Sequence, residues 1–188
     1  MPQNPLGVLL RKRRAGHHTL AWARPELAAP ENFELTSPAF EHATPIPPRH
    51  RGRFFAANIS PALAWTPPPE GTASLVLVVQ DPDVPRPRAA THALTLSIDP
   101  ALPGIPENGL TEPSAVSGLT HGRGPLGRRG WFGPAPVPSH GPHSYVFQLF
   151  AVDHRPKLPD GFSLAQALDA ISWHVLGRAR LDGTYEIS

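Results

Sequence analysis

The chain has 188 residues, enough for one domain with a substantial core, and a formal charge of +2 that makes no electrostatic case for nucleic acid. It has no cysteine, which excludes a disulfide framework, a thiolate-ligated zinc or iron–sulfur centre and a cysteine nucleophile. Its 26 prolines and 16 glycines sit just under the roughly 25–30% breaker content of disordered chains, while 40% hydrophobic and 17% charged residues argue against a self-repelling coil.

Residues 1–32 read as a partly helical N-terminal extension. Leu6, Leu9 and Leu10 line one face of a short helix ahead of Arg11, Lys12, Arg13 and Arg14. We read it as a solvated helix packed on the domain, with a membrane-surface helix as the alternative. The charge follows the apolar patch instead of preceding it, unlike a secretory signal, and no run approaches the roughly 18 apolar residues of a membrane span, so a cytoplasmic location is expected. The domain proper is placed at 33–188. Phe33–Thr36 is a first strand candidate, and Ser74–Gln80 is a β-branched apolar run of buried-strand length. In Thr91–Ile98, period two puts His92, Leu94, Leu96 and Ile98 on one face. In His143–Val152, Tyr145, Phe147, Leu149 and Ala151 share one side, and Val146, Phe150 and Val152 the other, as in a strand buried on both faces. Ser163 caps a helix in which Leu164, Ala167, Leu168, Ile171 and Val175 recur at helical spacing, with Gly177 as its end. Ala179–Ile187 closes the chain as a strand around Tyr185. The whole reads as mostly β, with a connection of about forty residues between Leu102 and Gly141; loops of that length are usually functional or disordered.

Three places carry candidate chemistry. Asp81-Pro82-Asp83-Val84-Pro85 follows the apolar strand, and its prolines stiffen a loop that either positions carboxylates for a ligand or merely bonds its own backbone. His143 and Tyr145 lie two apart on a strand behind a Pro/Gly loop, so an imidazole and a phenol share one side, and Gly141 allows close approach to the backbone. His92 opens an apolar face where a bare imidazole is costly. No nucleophile is paired with a base at a defined spacing. Ser144 alternates away from His143 and Tyr145, Ser139 has no partner, no G-x-S-x-G occurs, and His140 with His143 lacks a third metal ligand. The expectation is therefore a protein that is not an enzyme and has no metal or cofactor.

Together these segments resemble the phosphatidylethanolamine-binding protein family, which includes Raf kinase inhibitor protein. The resemblance rests on Asn58-Ile59-Ser60-Pro61-Ala62-Leu63-Ala64-Trp65, the Asp81–Pro85 run, His92, Gly141–Asp153 and Leu181–Tyr185. It implies a large central antiparallel sheet packed on a smaller one, with a C-terminal helix, and a small anion pocket for phosphate-type or phosphorylated head-group ligands. Carried over, the ligand-binding residues are Asp81, Asp83, Pro85, His92, Gly141, His143 and Tyr145, with Asp81 holding an imidazole and Asp83 available to an ammonium group. The same resemblance implies an alternative role as a kinase or serine-protease inhibitor acting through a protein interface, peripheral membrane contact and homodimerisation; an unrecognised hydrolase or lyase ranks third. Ala93, Asp99 and Ser144 depart from the family's usual aromatic, Ile-Pro and Arg at those places; Arg123, Arg128 and Arg129 are candidate replacements for the lost positive charge, but a solvated, flexible basic loop is the preferred reading of them. Whether Asp81–Pro82 is cis is left open.

Overall fold

The computed structural model describes residues 3–52 and 57–187, so positions 1, 2, 53–56 and 188 of the two spans above lie outside it. Nine strands and two α-helices follow in order: α1 (Pro5–Leu10), β1 (Leu35–Thr36), β2 (Thr44–Pro45), β3 (Leu63–Trp65), β4 (Ser74–Asp81), β5 (Ala90–Ile98), β6 (Gly104–Ile105), β7 (Thr120–His121), β8 (His143–Val152), α2 (Leu164–Ile171) and β9 (Val175–Tyr185). Strands β2-β9-β8-β4-β5-β7 form a six-stranded sheet, antiparallel except for the β2–β9 pair; β1-β3-β6 form a small antiparallel sheet.

The central strands β4 and β8 are buried on both faces, which explains their near-continuous apolar sequences. Leu75, Leu77 and Val79 of β4 and Tyr145, Phe147, Leu149 and Ala151 of β8 face the small sheet, where Leu35, Leu63, Trp65 and Ile105 meet them. Val76 and Val78 of β4, with Phe150 and Val152 of β8, face the opposite layer of α2, Phe162, Ala21 and Leu27. Each large apolar side chain fully removed from water contributes about 1.5–3 kcal/mol, so these central strands anchor the fold. The N-terminal segment is fastened by two buried amides: Gln80 Oε1 accepts from the Ala21 N–H at 2.8 Å, and Gln148 Oε1 from the Trp22 N–H at 2.7 Å.

Strand β5 departs from simple alternation. Val79 pairs with Ala93 but Gln80 with Thr91, and Leu77 pairs with Thr95 but Leu75 with Ile98, so β5 carries an extra residue at two places. One is His92. The other lies next to Ser97, which adopts φ +62°. These bulges keep Leu94 and Leu96 with the α2 layer and turn Ile98 to the small-sheet side, correcting the expectation that His92, Leu94, Leu96 and Ile98 share a face.

Helix α2 starts as its capping box dictates. The Ser163 hydroxyl accepts from the Gln166 N–H at 3.3 Å, and the Gln166 side chain accepts from the Ser163 N–H at 2.9 Å. It ends at Ile171, well short of Gly177. Trp173 takes φ +67° and its N–H goes to the Glu26 carbonyl, so Val175 opens β9 instead of continuing the helix. The Leu102–Gly141 connection is not structureless: β6 pairs with β3 and β7 with β5. The cis peptide among the described residues is Glu112–Pro113, and Asp81–Pro82 is trans.

Candidate ligand cavity

The end of β4, the start of β5 and the start of β8 meet at one end of the large sheet's central strands. Beside them the 131–137 segment passes over, held by Asn58, whose side-chain N–H donates to the Trp131 carbonyl at 3.0 Å and whose Oδ1 accepts from the Gly133 N–H at 2.9 Å. Phe132, fixed between those two bonds, presents its carbonyl to His92 Nδ1 at 2.6 Å. A cavity of about 430 Å³ opens here. Asp81, His92 and His143 give it a polar end, and Pro85, Phe132, Pro136 and Val137 are among its apolar walls; Leu126 and Arg86 also line it and are exposed.

At the polar end, Asp81 is buried and takes two donors. Its Oδ1 accepts from the Asp83 N–H and its Oδ2 from His143 Nδ1, each at 2.7 Å. His143 Nε2 lies 2.7 Å from His140 Nδ1, and His140 Nε2 lies 2.9 Å from the Leu10 carbonyl. A carbonyl only accepts, so His140 Nε2 carries a proton. With every bond in the row made, one proton occupies each link, from Asp81 through His143 and His140 to Leu10. A carboxylate and two neutral imidazoles hold one proton fewer than that. A proton in the His143–His140 link would therefore offset the Asp81 charge.

His92 donates from Nδ1 to Phe132, which leaves Nε2 as an acceptor. Burial lowers its pKa and keeps it neutral, outweighing the opposing pull of the Asp81 charge. Tyr145 meets the His92 ring edge-on at 4.9 Å between centroids. Its hydroxyl is buried near Asp81 and the Ala135 backbone but in hydrogen-bonding geometry with neither; burial, then the Asp81 charge, hold its pKa well above a phenol's usual value.

Of the residues singled out from sequence, Asp81, Pro85, His92 and His143 line the cavity, whereas Tyr145 stands behind His92. Asp83 and Gly141 belong to the frame. Asp83 Oδ1 pairs with Arg14 at 2.7 Å, and its Oδ2 accepts from the Ser144 N–H at 2.7 Å. Gly141, at φ +103°, sits against Arg14, which also donates to the Pro142 carbonyl at 2.9 Å. Desolvation pushes the Asp83 carboxyl up, but its bonds with Ser144 and Arg14 together outweigh that and lower its pKa. The ammonium partner expected for Asp83 is thus answered by the chain's own guanidinium. Ser139 Oγ accepts from the Asn4 N–H at 3.0 Å.

The basic extension is part of this frame. Arg11 donates to the Ser139 carbonyl, and the Ala15 and Gly16 N–H groups bond to the Val84 and Pro82 carbonyls. Sequence reasoning missed three contributors: Asn58, Arg86 and the full role of His140. Arg86 follows Pro85 directly and makes no ion pair among the described residues, so it is the cation at the cavity. Arg128 and Arg129 line a separate hollow with Asn58, and Arg129 faces Glu112 at 3.5 Å and Asp160 at 3.7 Å.

The model of the phosphatidylethanolamine-binding protein family matches residues 36–186. The chain belongs to that family. A UPF0098 protein from Methanothermobacter thermautotrophicus is 37% identical over 153 residues, covering 81% of this chain and 98% of the relative. The solved structure of the phosphatidylethanolamine-binding protein homologue CT736 from Chlamydia trachomatis superposes with a TM-score of 0.74 at 30% identity, covering 84% of this chain and 99% of that one. YbcL from Escherichia coli, described as a member of the mammalian family, gives 0.76 at 26% identity, covering 83% and 99%. Family membership fixes the two-sheet architecture and the C-terminal helix, and the match begins beyond the N-terminal segment that clamps the cavity.

Proposed function

We propose that this chain is a non-catalytic binding protein whose cavity takes a phosphorylated small molecule or head group, with the phosphate toward Arg86. The observation that carries the reading is the pairing of an unpaired guanidinium with an acid–imidazole row in a cavity whose walls are otherwise apolar. Had Asp81 stood there as a bare carboxylate, it would repel an anion. A proton in the His143–His140 link would offset that charge. Neutral His92 offers an acceptor to an ammonium or a P–OH hydrogen, so a zwitterionic head group such as phosphoethanolamine suits the set better than inorganic phosphate alone. The two serines next to the site serve the frame or its flank, consistent with binding without turnover.

The test is an amide-shift titration with phosphate, phosphoethanolamine and a mononucleotide, run on wild type and Arg86→Ala. Saturable shifts at Asp81, Arg86, His92 and His143 are expected, strongest for phosphoethanolamine. A charge-assisted bond contributes about 1.5–3 kcal/mol, so Arg86→Ala weakens binding about 10- to 100-fold. Absence of saturable shifts at millimolar ligand, or unchanged affinity in the variant, refutes the reading; release of phosphate from an added phosphoester refutes its non-catalytic part.

A further inference from the structure

Strand β8 ends in a second acid–imidazole cluster that the cavity does not use. Asp153 follows Val152, the last residue of β8, and His174 precedes Val175, the first of β9; the two strands are paired there, and the Asp153 N–H donates to the His174 carbonyl at 3.2 Å. His154 Nδ1 lies 3.0 Å from Asp153 Oδ1. His174 Nδ1 lies 3.0 Å from the same oxygen and 3.3 Å from Oδ2. The two rings are 4.5 Å apart between centroids, and one ligand atom from each of the three residues falls within a 4.8 Å span.

Those separations match a metal site. Two ligands on one tetrahedral zinc, each bound at about 2.0–2.1 Å, stand roughly 3.3 Å apart, so small side-chain adjustments place an ion between these atoms. Two imidazoles and a single carboxylate suit zinc, copper or nickel and not calcium or magnesium, which take oxygen. Without an ion, both imidazoles must keep a proton on Nδ1 to bond the same carboxylate; with one, those nitrogens become ligands and the protons leave or move to Nε2. All three side chains are open to solvent, with 38%, 44% and 51% of His154, Asp153 and His174 exposed, so water can complete the coordination.

We propose that Asp153, His154 and His174 form a surface site for one divalent transition-metal ion of the zinc type, with water in the remaining positions. The site is independent of the ligand cavity, because β8's 10 residues put its two ends roughly 30 Å apart. An ion there ties the end of β8 to the start of β9 and raises the unfolding temperature by mass action.

The full chain, without an affinity tag, is titrated with Zn²⁺ by calorimetry and with Co²⁺ by visible absorption. One ion per chain is expected. His154→Ala and His174→Ala each weaken binding at least about tenfold, and the double variant abolishes it. His42→Ala serves as the control histidine and leaves affinity unchanged. The substitutions lie at solvent-accessible positions, and metal-free unfolding midpoints equal to wild type certify the fold. No saturable binding by wild type overturns the proposal. So does binding that the double variant retains, since that ion sits elsewhere.

Discussion

Each end of β8 carries an aspartate bonded to imidazole, at nearly equal distance: Asp81 to His143 at 2.7 Å, and Asp153 to His154 and His174 at 3.0 Å. The chemistry is the same and the surroundings are opposite. At the cavity end the pair is 1% and 2% exposed, and each polar atom of the carboxylate and ring is accounted for by a partner in the chain. At the far end the three side chains stand in water, which replaces any bond that breaks. Burial converts one contact into a structural commitment. Exposure leaves the other free to exchange its proton for an ion.

The sharpest way to break the contrast is the same substitution at both ends. Asp81 accepts from two donors, the Asp83 N–H and His143 Nδ1, and alanine has no oxygen to offer them. The Asp83 N–H and the His143 ring nitrogen are then left without a partner in a buried place. Removing one partner of a buried pair costs about 3–5 kcal/mol, and Asp81→Ala is expected to lose that in urea unfolding at pH 7. Asp153→Ala is expected to lose far less, because water takes over its partners. Equal losses at the two ends would show that burial is not what separates them.

The sequence made the cavity end legible because its residues are clustered in chain order: a carboxylate run behind an apolar strand, and two polar side chains two apart on another. Period two and apolar content were enough to place β4 and β8 with both faces buried. What stayed hidden depends on events that leave no periodic trace. The bulge at His92 turns that ring toward Tyr145, and period two alone gives the wrong face for its neighbours. Helix α2 stops where Trp173 enters a positive φ, although Val175 continues the helical spacing perfectly well. Asn58 acts on the cavity across 73 and 75 positions of sequence, and Asp153 meets His174 across 21, so neither contact has a local signature.

Acid sharpens the same contrast by a different route. Burial lowers the pKa of His92, and also of His50 and His121, so the unfolded chain binds protons more readily at each. Their neutral forms stabilise the fold fully above the ordinary histidine value of 6.5, and that contribution is lost progressively as pH falls below it. The unfolding midpoint is expected to drop on the order of 5 °C between pH 7.5 and 5, with His92→Gln reducing the drop. Asp153 works in another window. Its lowered pKa adds stability that disappears only below the carboxylate value of 3.8, so this carboxyl is silent over the range where the buried imidazoles titrate. A flat midpoint from pH 7.5 to 5 would mean that these imidazoles are not held neutral.

The Arg14–Asp83 pair lies between the two extremes, with 32% and 14% of its side chains exposed, and tests whether the contrast is graded. Arg14 binds Asp83 and the Pro142 carbonyl together, so it joins the two loops that carry the cavity's histidine and carboxylate. Asp83 keeps the Ser144 N–H when Arg14 is gone and is therefore not orphaned. A double-mutant cycle of Arg14→Ala with Asp83→Asn should give a coupling of about 0.5–1 kcal/mol, near the upper edge of surface ion pairs and well below the cost at Asp81. Because part of the pair faces water, 1 M salt should erase most of that coupling while leaving the Asp81→Ala loss intact. A coupling as large and as salt-resistant as the Asp81 effect would place the N-terminal segment inside the buried network, and opening the cavity would then require releasing that segment first.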